Sequence, residues 1–314
     1  MSSKPHNKLF TPGHTACAGC GQALAIQHVT KALGSDVIIV NATGCSEVYS
    51  SKWDESAWGQ PWVHSVFENA AGVATGILAA LRQRGNKTTK VVAQGGDGAT
   101  FDIGFGLISG MWERGDDILY ICYDNEAYMN TGVQGSGATP HGAGTTTTPA
   151  GRAIPGNRQF KKDMISIALA HGLKYVAATT SGFPLDIEQK VKKALTFPGP
   201  TYLQILTPCV PGWGHESDMA IDLGKLAVQT GLYPVLEFEN GILVNKMKIN
   251  KPKPVTEYLK HQKRFKHILE NKEELAVIKE VARRNVERYG LWNDQFPISQ
   301  WPKNNQLFNV QLSL

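Results

Sequence analysis

Long apolar runs are missing from this chain of 314 residues. None approaches the ~20 consecutive apolar residues that a membrane-crossing helix needs. The segment 1–9 is polar, unlike a secretory leader, so a cytoplasmic protein with no membrane partner is expected. Cysteine is scarce, at five residues, too few for a small scaffold stapled by disulfides. In a reducing compartment those five remain thiols, available to metals. No zinc-finger or RNA-recognition motif is present, which argues against nucleic-acid binding, and there are no internal repeats.

What is present is an ordinary soluble composition, 42% apolar and 19% charged, with 32 glycines. Many glycines cluster just after apolar runs, where α/β proteins build ligand loops. The net charge of +5 is concentrated late in the chain, at Lys246, Lys248, Lys251, Lys253, Lys260, Lys263, Arg264 and Lys266. That run reads as a solvated helix face, with docking to an acidic protein partner such as an electron carrier as a further reading.

Apolar, β-rich runs at 37–40, 90–94, 118–123, 175–178 and 202–206 alternate with helical patterns at 67–84, 103–113, 163–171 and 184–195. Ala70, Ala71, Ala74, Gly76 and Ala79 suggest a small-residue helix face. Such alternation predicts an α/β fold, a doubly wound and mostly parallel sheet covered on both faces. Ligands then sit beyond the carboxyl ends of the strands, where Cys45, Asp97, Asn125 and Cys209 fall. The glycine- and threonine-rich segment 130–157 is too long for a simple turn and is expected to be functional or disordered. After residue 230 the pattern changes to a hairpin at 235–244 around Asn240-Gly241 and a charged helical stretch at 257–289. The expected organisation is an α/β cofactor domain over 1–230 and a C-terminal extension over 231–314 that wraps a partner or caps the domain.

Gly96-Asp97-Gly98 ends one predicted strand and precedes a helix, and Asn125 ends the next. A diphosphate needs a divalent cation, and Mg²⁺ takes oxygen ligands. Asp97 can supply a carboxylate and Asn125 an amide oxygen. Gly96 and Gly98 let the backbone approach phosphate, with the amides of the following helix turned toward it. Two unrelated turns are the bland alternative, since a lone GDG is common. The arrangement resembles the thiamine diphosphate motif.

Cys17-Ala18-Gly19-Cys20 is a CxxC, open to three readings: a redox dithiol, half a zinc site, or half an iron–sulfur site. No clear strand precedes it, against a thioredoxin-like pair. Cys45 and Cys209 each follow a strand and precede turn-like residues. Four thiolates can hold a four-iron cluster, and spacing alone leaves zinc open. Cys122, inside ILYICY, reads as a buried structural thiol.

CAGCG, NATGCSE, PWVHSVFENAA, GGDGATFDIGFG, YDNEAYMNTGVQGSGATP and the late TPC together resemble the β subunit of the pyruvate:ferredoxin oxidoreductase family, over roughly residues 12–290. The resemblance implies that Cys17, Cys20, Cys45 and Cys209 bind a 4Fe–4S cluster. It implies that Asp97, Asn125 and the Ala127 carbonyl hold Mg²⁺. Gly44, Cys45, Gly96, Gly98, Ala99, Tyr128, Asn130 and Thr131 would surround thiamine diphosphate, with Asn130 near the thiazolium and substrate. The implied activity is oxidative decarboxylation of a small 2-oxoacid, pyruvate or oxalate, with electrons passed through the cluster to ferredoxin. Coenzyme A would be needed for pyruvate only. The glutamate that activates thiamine would lie on another subunit, and a further subunit would carry ferredoxin-like clusters, so the chain alone is expected to be inactive. The competing function is a non-oxidative thiamine-dependent decarboxylase or synthase subunit with a zinc or thiol site.

Bland roles are expected elsewhere: structural for His64 and Glu68, packing or support for His14 and His28, and interface packing for Trp53, Trp58 and Trp62.

Overall fold

A computed structural model describes residues 9–51, 56–151 and 154–292. The strands are β1 (Val37–Ala42), β2 (Trp62–Ser65), β3 (Lys90–Gly96), β4 (Ile118–Asp124), β5 (Tyr175–Thr180), β6 (Thr201–Leu206), β7 (Leu236–Glu239) and β8 (Ile242–Lys246). The helices are α1 (Gly21–Leu33), α2 (Cys45–Ser50), α3 (Ala70–Gln83), α4 (Phe105–Glu113), α5 (Met164–Ala170), α6 (Pro184–Ala194), α7 (Ala220–Gln229), α8 (Val255–Leu259) and α9 (Lys272–Tyr289).

All eight strands form one sheet in the order β2-β1-β3-β4-β6-β5-β7-β8. The pairs from β2 through β5 are parallel, and β7 and β8 add antiparallel strands at one edge. Every residue of β4, β5 and β6 is buried, as expected for strands covered on both faces. On one face α1 and α6 pack Ala25, Ile26, Val29, Ile187 and Val191 against Ile39, Val92 and Ile121. On the other, α3, α4, α5 and α9 contribute Ala71, Ala74, Ile108, Met111, Ala168 and Ala282 to the larger core.

The doubly wound parallel sheet and the five expected strands are therefore present. Trp62–Ser65 forms an additional strand at the edge; its short, half-exposed run has no apolar alternation to announce it. In α3 the small face is Ala70, Ala71 and Ala74, with Leu78 beside it, whereas Gly76 and Ala79 face outward. Cys45 does not precede a turn: it opens α2, and Val210–Gly214 after Cys209 coils into a π-helical turn. The stretch 257–289 is not one helix. It breaks between α8, a 3₁₀ turn over Lys263–Ile268 and α9, whose start is fixed by Asn271 accepting from the Glu273 and Glu274 amides. The breaks turn Phe265 and Ile268 into the core.

The hairpin at Asn240-Gly241 forms as β7–β8. Residues after 231 continue the same sheet, and Val255, Leu259, Ile268, Ile278 and Val286 share its core. The basic run is not a uniform solvated face either: Lys248, Lys251, Lys253, Lys260, Lys263 and Lys266 are exposed, but Arg264 is buried. Trp53 lies outside the described residues.

Candidate active site

Parallel pairing brings the carboxyl ends of β1, β3, β4 and β6 to one edge, side by side in that order. The loops leaving them carry Cys45, Asp97, Asn125 and Cys209 respectively. The chain passes from β1 outward to β2 and returns to β3 on the other side. The crevice between β1 and β3 is thus a topological switch point, where such sheets bind ligands.

Asp97 is fully buried. Its Oδ1 accepts the Asn125 backbone N–H at 3.1 Å, and Oδ2 accepts the Ser136 hydroxyl at 2.5 Å. Burial, and then the neighbouring Asp124 carboxylate, push the Asp97 carboxyl up to about 8. One terminal atom of the Asn125 amide lies 2.9 Å from Asp97 Oδ1 and 2.8 Å from the Ala127 carbonyl oxygen. With nitrogen there, the amide donates to both. With oxygen there, three oxygens meet with no proton between them. Mg–O bonds of about 2.0–2.1 Å at right angles place neighbouring ligand oxygens about 2.9 Å apart, so in the second orientation both distances from the Asn125 oxygen match edges of a Mg²⁺ octahedron.

A cleft beside these oxygens is lined by Thr43, Gly44, Cys45, Ser46, Gly96, Asp97, Gly98, Asn125, Ala127, Tyr128, Asn130 and Thr131, with Gln22, Phe67 and Met129. Of the residues expected around the cofactor only Ala99 is off the wall. It is buried, and a Cβ on Gly95 would touch its methyl group at 3.1 Å. The Tyr128 ring lies on Gly98, and its hydroxyl donates to Asp102 Oδ2 at 2.9 Å. A Cβ at Gly98 would sit 2.3 Å from Tyr128 Cε1.

Gly98→Ala is therefore expected to push the Tyr128 ring into the cleft and weaken diphosphate binding, at a cost of about 1–3 kcal/mol. Adding Tyr128→Ala should restore part of the loss, a non-additivity readable in cofactor titrations of the two variants.

The thiols come from three loops. Gly19, at φ 76°, lies so close to the 217 backbone that a Cβ would be 1.8 Å from the Ser217 carbonyl oxygen. The Gly21 N–H donates to Pro208 O at 3.2 Å. The CxxC loop is thus seated directly on the backbone around Cys209. Cys20 also caps α1, its sulfur accepting from the Ala23 amide at 3.5 Å. Burial raises the Cys45 thiol to about 12, followed by Cys209, Cys20 and Cys17. Burial likewise raises Cys209 to about 12; the Gly212 amide opposes it, Cys20 and Cys17 raise it, and Arg264 lowers it. All four thiols are within electrostatic reach of one another. Among the described residues, no three of His, Cys, Asp and Glu converge closely enough to chelate a single metal ion. Cys122 is buried inside β4.

The remaining side chains have local partners. His64 bonds Thr43 Oγ1 at 2.7 Å and stacks on Trp62, which stacks on Trp58. His28 bonds Glu188 at 2.7 Å, His14 stacks on Phe10, and Glu68 is exposed. Sequence reading overlooked Ser136 and Trp213. Ser136 stands in the glycine- and threonine-rich segment, whose polar density was the available signal. Trp213 donates from its indole N–H to Asn125 O at 2.8 Å, and nothing in its spacing to Asn125 announces that contact.

A family model described as the thiamine pyrophosphate enzyme C-terminal, TPP-binding domain matches residues 42–205. The chain is 48% identical over 295 residues to pyruvate synthase subunit PorB of Methanosarcina barkeri, covering 93% of this chain and all of that protein. It is 51% identical to PorB of Methanocaldococcus jannaschii, over 84% and 91% of the two chains. It is 42% identical to ketoisovalerate oxidoreductase subunit VorB of Pyrococcus abyssi, over 90% and 93%. Among solved structures, its fold resembles 2-oxoglutarate:ferredoxin oxidoreductase from Magnetococcus marinus, with a TM-score of 0.55 and 23% identity over 68% of this chain and 77% of that one.

Proposed function

The chain belongs to the β-subunit family of the pyruvate:ferredoxin oxidoreductases, the thiamine-dependent 2-oxoacid oxidoreductases, and from that premise we propose pyruvate as its substrate and a cysteine-held 4Fe–4S cluster as its electron outlet. The observation that carries this reading is the loop order at the sheet edge: the Asn125 amide lies 2.9 Å from Asp97 Oδ1 and 2.8 Å from the Ala127 carbonyl oxygen, between the loops of Cys45 and Cys209. Relatives named for pyruvate reach 51% identity, against 42% for those named for ketoisovalerate.

When bound, thiamine diphosphate supplies the electron sink for decarboxylation, and an iron–sulfur cluster accepts electrons one at a time. The chain's own residues would divide the work by position. Asp97, Asn125 and the Ala127 carbonyl would hold Mg²⁺ and through it the diphosphate. Gly96 and Gly98 keep the loop free of side chains there, and Tyr128 and Phe67, their rings 5.7 Å apart edge to face, wall one side. Asn130 and Thr131, exposed at the mouth, would face substrate. Cys17, Cys20, Cys45 and Cys209 would take one iron each. A cluster with an iron per thiolate suits thiols that lie near each other without converging on one ion. Gly44 and Cys45 border the cofactor cleft, so the outlet would begin at its wall.

The acid–base end of the cofactor would come from another subunit. Asp97 is the only acidic side chain lining the cleft among the described residues, and it belongs to the diphosphate end. Partners would therefore be a subunit carrying the activating glutamate, one with ferredoxin-like clusters, and ferredoxin, in a cytoplasmic complex.

The test is turnover of the intact complex with pyruvate, 2-oxoisovalerate and oxalate, each with and without coenzyme A, using ferredoxin or a viologen dye as acceptor. Coenzyme A-dependent reduction with pyruvate is expected, and no turnover by this chain alone. Coenzyme A-independent reduction with oxalate would reassign the substrate. Decarboxylation with no acceptor reduced, together with zinc in place of iron, would favour the non-oxidative reading.

A further inference from the structure

Arg264 is the one member of the late basic run that the fold buries, its side chain 4% exposed. Burying a guanidinium is costly unless every donor finds an acceptor, so its surroundings indicate what the charge is for. Its Nη2 meets Glu126 Oε2 at 2.5 Å, and its Nε donates to Gln262 Oε1 at 2.9 Å. Its guanidinium lies 4.0 Å above the Trp213 ring. Those contacts bridge two loops that are not otherwise consecutive. Glu126 stands between Asn125 and Ala127, in left-handed backbone at φ 68°, a conformation that needs outside support. Trp213 ends the turn that begins at Cys209: its backbone N–H donates to Cys209 O at 2.8 Å, and its indole N–H reaches Asn125 O at 2.8 Å.

The charge balance around this junction is even. Lys161 Nζ lies 2.5 Å from Asp124 and 2.9 Å from Glu126, so two anions face two cations. Lys161 is directed toward Asp124, at the end of β4. Arg264, seated on Trp213, is the cation on the Cys209 side. Arg264 sits on the Trp213 ring, and Trp213 is bonded through its backbone N–H to the Cys209 carbonyl, so the guanidinium charge lies one side chain away from the Cys209 loop.

We propose that Arg264 is a positioning residue that locks the Asn125–Ala127 loop to the Cys209 loop, and that its fixed charge favours the reduced state of the cluster held by the thiols. The inference rests on the cluster reading above. An apolar pair in place of Arg264 and Glu126 would meet a purely structural demand as well or better. Only an arginine fork both pairs with Glu126 and stacks on Trp213. The two roles separate by substitution: Arg264→Lys keeps the charge and loses the stack and fork, whereas Arg264→Gln loses both.

The experiment is an anaerobic redox titration of the assembled complex, following the cluster by electron paramagnetic resonance, with thiamine diphosphate half-saturation measured alongside. In Arg264→Gln the reduced-to-oxidised ratio at a fixed potential should fall about tenfold, which for a one-electron couple lowers the midpoint by about 59 mV. Arg264→Lys should keep the midpoint and raise the thiamine diphosphate needed for half-saturation. Glu126→Gln, which leaves Arg264 uncompensated, should move the midpoint upward, and it decides the question if Arg264→Gln does not assemble. Midpoints unmoved, or moved the same way in Arg264→Gln and Glu126→Gln, overturn the electrostatic role. Unchanged half-saturation in Arg264→Lys overturns the positioning role. A wild-type complex whose iron does not exceed that of its subunit with ferredoxin-like clusters refutes the cluster reading itself, and is distinguished by metal analysis before any titration.

Discussion

Asp97→Asn is expected to abolish Mg²⁺-dependent binding of thiamine diphosphate while leaving the chain folded. The substitution keeps the size and much of the hydrogen bonding of a fully buried side chain. It removes the only carboxylate from the group formed by Asp97, the Asn125 amide and the Ala127 carbonyl. Removing one partner of a buried charged contact costs roughly 2–5 kcal/mol, and about 3 kcal/mol is more than a hundredfold in affinity. Isothermal titration of the complex with thiamine diphosphate at fixed Mg²⁺ measures it. Burial pushes the Asp97 carboxyl up to about 8, so without a cation the wild-type side chain is mostly protonated at neutral pH, and the amide variant gives up no charge interaction there. The unloaded Asn variant should therefore melt no lower than unloaded wild type, while Mg²⁺ with thiamine diphosphate raises the melting temperature of wild type alone. Wild-type affinity in the variant would remove Asp97 from the binding site.

Cys209→Ala is expected to remove the iron and the electron transfer together, yet leave thiamine diphosphate binding within a few-fold of wild type. Iron in the complex should fall by about four atoms per copy of this chain, the content of one 4Fe–4S cluster, leaving the iron of the subunit with ferredoxin-like clusters. The control is Cys122→Ala, buried in the middle of β4, which should keep its iron and lose only packing. If instead Cys122→Ala empties the site while Cys209→Ala does not, the ligand assignment is wrong. Acid-labile sulfide and iron analysis on anaerobically purified complexes reads both. The thiamine half of the prediction follows from the loop order, since Cys209 leaves β6 whereas Asp97 and Asn125 leave β3 and β4.

The core strands were legible because period and length are local properties. Residues 90–94 and 118–123 are apolar runs of the right length, each leading into a loop that lines the cleft, at Asp97 and at Asn125. The placement of Cys45 beside the diphosphate loop was also readable, from strand-end position alone, and the structure pairs β1 with β3. The same local reasoning failed where tertiary contacts decide. Trp62–Ser65 is a strand because β1 offers it an edge. Arg264 looks like its lysine neighbours until Glu126 and Trp213 arrive from more than one hundred and about fifty residues away, respectively. The glycines of the CxxC loop read as turn residues, but Gly19 is small because the backbone at Ser217 presses against it. No spacing rule encodes an approach between segments so distant in the chain.

The strand order has a consequence for how such a subunit changes over evolutionary time. The diphosphate loops are the inner pair at the sheet edge and the Cys45 and Cys209 loops the outer pair. If the outer loops hold a cluster as proposed, substitutions there could add or erase it without disturbing the register of the strands that carry the inner ones. One sheet would then support lineages with and without electron transfer. The piece least free to drift is the junction where inner and outer loops touch, at Asn125 and Trp213.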